Sequence, residues 1–146
     1  MDKTIKVLLV EDSIADATLI QEIFFDENIA VQLHVVRDGF EAMDFLQMKG
    51  QYTDSVRPDL VILDLNMPKK DGRELLYEMK NIPHLKSIPV IILTTSQAEE
   101  DIVRSYALNA SCYLIKPIEL SHFTKLVKFI NDFWFTSVKY PSKDSQ

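Results

Sequence analysis

The chain has 146 residues and a mass of 16.8 kDa, with 47% hydrophobic residues and a mean hydropathy of −0.03, which fits one folded domain and excludes a polar disordered chain. Sixteen Lys and Arg against 22 Asp and Glu leave a formal charge of −6, the wrong sign for holding phosphate backbones or anionic lipid, so neither nucleic acid nor membrane is expected as a partner. A single cysteine, Cys112, cannot form an internal disulfide and suits a reducing compartment.

The N-terminal MDKTIKVLLVED carries an apolar run too short for a signal segment, and no stretch reaches the ~20 apolar residues of a membrane span. A cytoplasmic protein is expected. The first strand is expected over Ile5 to Val10, then a helix over Ile14 to Asp26 and a weaker strand over Val31 to Val36. Asp38 with Glu41 forms a capping-box pattern that starts a helix at roughly 40–49. The segment Gly50 to Pro58 is the one long connection. Leu60 to Leu63 and Val90 to Leu93 are uninterrupted apolar runs, the signature of strands covered on both faces, and Arg73 to Lys80 between them has helical spacing. A second capping box, Ser96 with Glu99, predicts a helix at 97–108; a strand over Cys112 to Ile115 and a helix over Leu120 to Ser137 follow. Strand and helix thus alternate five times, which predicts an α/β fold with a parallel sheet and helices on both faces. Residues 1–137 are expected to form one domain, and 138–146 a short polar tail.

Polar residues fall at one place relative to the apolar runs. Glu11 and Asp12 follow the first strand, Asp64 the third, Thr94 the fourth and Lys116 the fifth. In a parallel sheet all of these stand at the carboxyl edge, where open α/β sheets bind ligands. A polar strand end alone needs no function, because an Asp there can simply cap the next helix. The set together points to chemistry. Three carboxylates and one ammonium leave a deficit that a hard divalent cation such as Mg²⁺ neutralises. Asp64 is the expected nucleophile, forming an acyl phosphate whose oxygens Lys116 and Thr94 would stabilise.

The run Asp64-Leu-Asn-Met-Pro-Lys-Lys-Asp71-Gly72, with Glu11-Asp12 upstream and Thr94 and Lys116-Pro117 downstream, resembles the receiver domain of two-component response regulators over about residues 6–135. The resemblance implies a flavodoxin-like doubly wound (βα)5 sheet in strand order 2-1-3-4-5. It implies that Asp64 accepts phosphate from a histidine kinase, that Asp12, Asp64 and the main-chain carbonyl of Asn66 bind Mg²⁺, and that Glu11 acts through water. It further implies contacts of Lys116 and Thr94 with the phosphoryl group, a cis peptide before Pro117, and Tyr113 as an aromatic switch answering Thr94. Thr95 departs from the small residue usual at its place. The segments FLQMKGQYTDSVRPDLVILDLNMPKKDGRELL and FWFTSV also resemble the stand-alone regulators that partner cyanobacterial phytochromes.

Other chemistries fit less well. A dehalogenase-type phosphatase needs a second acid two residues after its nucleophile, and Asn66 stands there. With only Gly39, Gly50 and Gly72 no phosphate-cradling glycine loop can be built. His34, His84 and His122 lack metal-ligand spacing, and Lys69-Lys70 reads as a wet loop. The expected protein is therefore not an enzyme on an external substrate; it signals through altered contacts with a kinase and a downstream target. The alternative is a constitutive interaction module with vestigial phosphorylation. A homodimer is expected through the face built by the 97–108 helix, the fifth strand and the last helix, because Phe135 lies off the core stripe of Phe123, Leu126, Val127, Ile130, Phe133 and Trp134 while Phe129 sits at its margin, with Tyr106 and Leu108 nearby.

Overall fold

A computed structural model describes residues 4–67, 72–94, 112–116 and 119–133. Five strands, β1 (Ile5–Val10), β2 (Val31–Val36), β3 (Leu60–Asp64), β4 (Val90–Thr94) and β5 (Cys112–Ile115), form one sheet in the order β2-β1-β3-β4-β5. Every pairing is parallel, with Val10 beside Leu63 and Asp64 beside Leu93 at the carboxyl edge. The described helices are α1 (Ile14–Asp26), α2 (Gly39–Gln47), α3 (Gly72–Lys80) and α4 (Leu120–Phe133), with a 3-10 turn at Gly50–Tyr52.

Alternation along the strands sorts the core into two layers. Leu8, Val10, Val61, Leu63, Val90 and Ile92 pack with α2 and α3 on one face. Ile5, Val7, Leu9, Leu60, Ile62, Ile91 and Leu93 pack with α1 and α4 on the other. Both sides of β3 and β4 are thereby dry, as their unbroken apolar runs predict, and each fully buried Leu or Ile contributes ~1.5–3 kcal/mol. Phe24 and Phe123 meet edge to face at 6.0 Å between ring centroids and tie α1 to α4.

Helix starts follow local chemistry. Ser13 caps α1 by accepting from the Asp16 amide (3.2 Å), and Asp38 caps α2 by accepting from the Glu41 amide (2.9 Å). The box at α2 is extended: Glu41 Oε1 accepts from the Arg37 amide (2.9 Å) and its other oxygen from the Tyr52 hydroxyl. This helix stops at Gln47, short of the expected 49, because Met48 takes a left-handed conformation (φ 58°). The long connection is pinned, since Ser55 Oγ donates to the Phe45 carbonyl at 2.8 Å and the Tyr52 ring packs on Phe45 and His34. His34 itself lies on Phe45 at 4.6 Å between centroids. The expected 97–108 helix with Ser96 and Glu99, Lys69-Lys70, Thr95, Tyr106, Leu108, Pro117, Trp134, Phe135 and the 138–146 tail lie outside the described residues.

Candidate functional site

The strand ends bring the expected residues together. Asp64 and Thr94 are the last residues of β3 and β4, one residue beyond the expected ends, and both are buried. Lys116 immediately follows β5, with its amide donating to the Thr94 carbonyl at 2.7 Å. Glu11 and Asp12 follow β1, and Glu11 is buried at 1% exposure.

Both neighbouring acids reach the same pocket, Glu11 as a buried residue. Glu11 turns into the site, where its Oε2 accepts from the Ser13 amide at 3.1 Å. Its Oε1 stands 2.9 Å from Lys116 Nζ, yet accepts no well-directed hydrogen bond and is a buried oxygen with unused capacity. One oxygen each from Glu11, Asp12 and Asp64 lie within 4.8 Å of one another. Three carboxylates so close, one with an orphaned lone pair, fit a hard oxygen-seeking cation. Asp64 Oδ1 accepts from the Asn66 amide (2.9 Å), which fixes the carboxylate and begins the turn after β3.

Lys116 is not held in reserve. Its Nζ contacts Glu11 Oε1 at 2.9 Å, Asp16 Oδ2 at 2.9 Å and Asp64 Oδ2 at 3.1 Å. Burial works against its charge, but the three carboxylates outweigh it and hold the ammonium above the ordinary lysine range. For Glu11 burial dominates: it pushes the carboxyl up to about 7, with Lys116 pulling the other way and Asp64 adding to the rise. Tyr113 is half-buried against the α2/α3 core layer.

Asp16 is the site residue that sequence reasoning missed. The pattern Ser13-x-x-Asp16 is that of a capping box, whose acid would return to the Ser13 amide. That amide is bonded to Glu11 instead, and the Asp16 carboxylate is turned to Lys116. His84 and His122 stand apart from the site: the His84 carbonyl accepts from Arg57 Nε at 3.3 Å, and the exposed His122 side chain pairs with exposed Glu119, just before α4, at 3.6 Å. Among the described residues no helix is long and apolar enough to cross a membrane.

Comparison with known proteins agrees with this geometry. Residues 7–128 match the response regulator receiver domain family. The chain is 50% identical over 136 residues to the response regulator Rcp1 of Synechocystis, covering 93% of this chain and 92% of that protein. Its fold superposes on the phosphorylated cyanobacterial phytochrome response regulator RcpA with a TM-score of 0.78 at 48% identity, covering 92% of this chain and 96% of the other. The Mn²⁺-bound form of Rcp1 superposes with a TM-score of 0.76 at 50% identity, covering 90% and 95%. The chain belongs to the response regulator receiver domain family.

Proposed function

We propose that this receiver is a phosphoryl-controlled switch in which Asp64 accepts a phosphoryl group from the phosphohistidine of a histidine kinase. The observation that carries this reading is the convergence of Glu11, Asp12, Asp64, Thr94 and Lys116 on one sheet edge, with three carboxylate oxygens within 4.8 Å. One Asp64 oxygen forms the new P–O bond as the P–N bond of the donor breaks, its electron pair leaving with the imidazole nitrogen. Asp12, Asp64 and the Asn66 main-chain carbonyl hold Mg²⁺, with Glu11 acting through water. The bound cation supplies the positive charge that lets a phosphoryl dianion approach this acidic pocket. Lys116 and the Thr94 hydroxyl take the remaining phosphoryl oxygens, and Tyr113 follows Thr94.

The kinase is of the phytochrome type, a reading supported by the match to RcpA, a phytochrome response regulator, over nearly the whole of both chains. The protein works in the cytoplasm and turns over no external substrate; its output is a change in contacts with a downstream partner. It forms a homodimer through the β5 and α4 side, a proposal resting on the sequence position of Phe135. Phe135→Ser then weakens self-association in sedimentation while phosphoryl uptake stays normal, and a monomeric parent at tens of micromolar overturns it.

The deciding experiment is phosphoryl uptake from a small phosphodonor with and without Mg²⁺. Uptake by the parent, its loss on chelation and its loss in Asp64→Asn are expected. A constitutive interaction module would take up none.

A further inference from the structure

The Lys116 ammonium has three hydrogens and is surrounded by three carboxylates at 2.9–3.1 Å, so a phosphoryl oxygen has to compete with them for it. The three are not equally releasable. The side chains of Glu11 and Asp64 are 0% and 3% exposed, and freeing either would strand a buried charge; Asp16 is 32% exposed and can pass to water. Its backbone is separately secured, because the Asp16 amide donates to Ser13 Oγ. Its carboxylate has no capping duty, since Glu11 Oε2 already holds the Ser13 amide.

The geometry points to Asp16 as a positioning residue that holds the Lys116 ammonium toward α1 in the phosphoryl-free protein and competes with the incoming phosphoryl group for it. The inference rests on the reading of Asp64 as phosphoacceptor. Asp16 contributes to the pocket's negative charge without belonging to the Glu11, Asp12 and Asp64 oxygen cluster. Removing its charge therefore favours the phosphoryl group, and it cannot strengthen cation binding, since it lowers the pocket's negative charge without freeing a cation ligand.

The probe is beryllofluoride, an analogue of the phosphoryl group, titrated with Mg²⁺ present and followed by fluorine NMR. Asp16→Asn and Asp16→Ala should bind it about three- to fivefold more tightly than the parent, the scale of a partly exposed ion pair. Asp16→Glu, which keeps the charge, should stay near the parent. Mg²⁺ affinity should not rise in the Asn and Ala variants, so tighter analogue binding there cannot come from tighter cation binding, and the nitrogen resonance of Lys116 in the analogue-free protein should shift in both; a merely structural Asp16 moves neither the resonance nor the analogue affinity selectively. Equal or weaker analogue binding in both neutral variants, with the parent binding normally, overturns the role of Asp16 alone. A parent that binds no analogue with Mg²⁺ present overturns the reading of Asp64, and this inference with it.

Discussion

A Cβ placed on Gly72 would stand 2.6 Å from the Asp64 carbonyl oxygen and 2.7 Å from Leu65 Cα. The first residue of α3 thus rests directly on the end of β3, and the Gly72 amide donates to the Leu65 carbonyl at 3.2 Å. Both obstacles are backbone, so no side chain can step aside. Gly72→Ala would ordinarily help a helix, but here the overpacking outweighs it and costs about 1–3 kcal/mol. Urea unfolding should show a lower midpoint, and phosphoryl uptake should fall because the strand end carrying Asp64 has to move. A variant as stable as the parent would mean that this contact yields freely.

Lys116→Ala should destabilise the cation-free protein far more than a surface Lys→Ala change does. It leaves Glu11 and Asp64, both buried, without their shared ammonium, and breaking a buried pair costs about 3–5 kcal/mol unless the acid takes up a proton. Mg²⁺ can replace the lost charge. The melting temperature of the variant should therefore rise more steeply with Mg²⁺ than that of the parent, and parallel curves would contradict the shared role of cation and lysine.

Glu11 links stability to pH. Its folded pKa of about 7 stands above its ordinary value of 4.5, so the folded protein binds this proton more tightly than the unfolded chain does. The stabilisation is complete below about pH 4.5 and is lost as pH rises toward 7, a swing on the order of 3 kcal/mol. Glu11→Gln, which does not titrate, should lack this part of the slope when both proteins are melted in chelator between pH 4.5 and 7.5. Identical slopes would show that Glu11 stays ionised in the fold.

What the sequence made legible was local. Unbroken runs such as Leu60 to Leu63 marked dry central strands, and the polar residue ending each run marked the carboxyl edge, because strand direction in a parallel sheet leaves no other place for Asp64, Thr94 and Lys116. The Asp38 cap was equally readable from neighbours three residues apart. The Asp16 to Lys116 pair was not, since it joins α1 to the end of β5 and no local spacing marks the contact. Nor was the end of α2, where Met48 adopts a backbone conformation that favours glycine. The burial of Glu11 required knowing what packs over the end of β1.

The Tyr52 hydroxyl and Glu41 join the long connection to the first turn of α2. Burial pushes the phenol pKa up to about 12, with the hydrogen bond to Glu41 and the charge of that carboxylate adding to it. Glu41 Oε1 also accepts from the Arg37 amide, so one carboxylate ties the end of β2, α2 and the connection together. Tyr52→Phe removes one bond and keeps the ring on Phe45 and His34, whereas Glu41→Ala removes both bonds. The first should cost about 1 kcal/mol and the second about 2 kcal/mol, the hydrogen bonds to a charged acceptor being the stronger kind. The two changes should be non-additive, because each deletes the same Tyr52 to Glu41 bond. Neither residue belongs to the carboxylate and lysine cluster at the sheet edge, so phosphoryl uptake measured below the melting transition should stay within about twofold of the parent, the kinetic equivalent of under 0.5 kcal/mol. Strictly additive losses in a double-mutant cycle would show that the hydroxyl and the carboxylate act separately, and a collapse of uptake in Tyr52→Phe would tie this connection to the site.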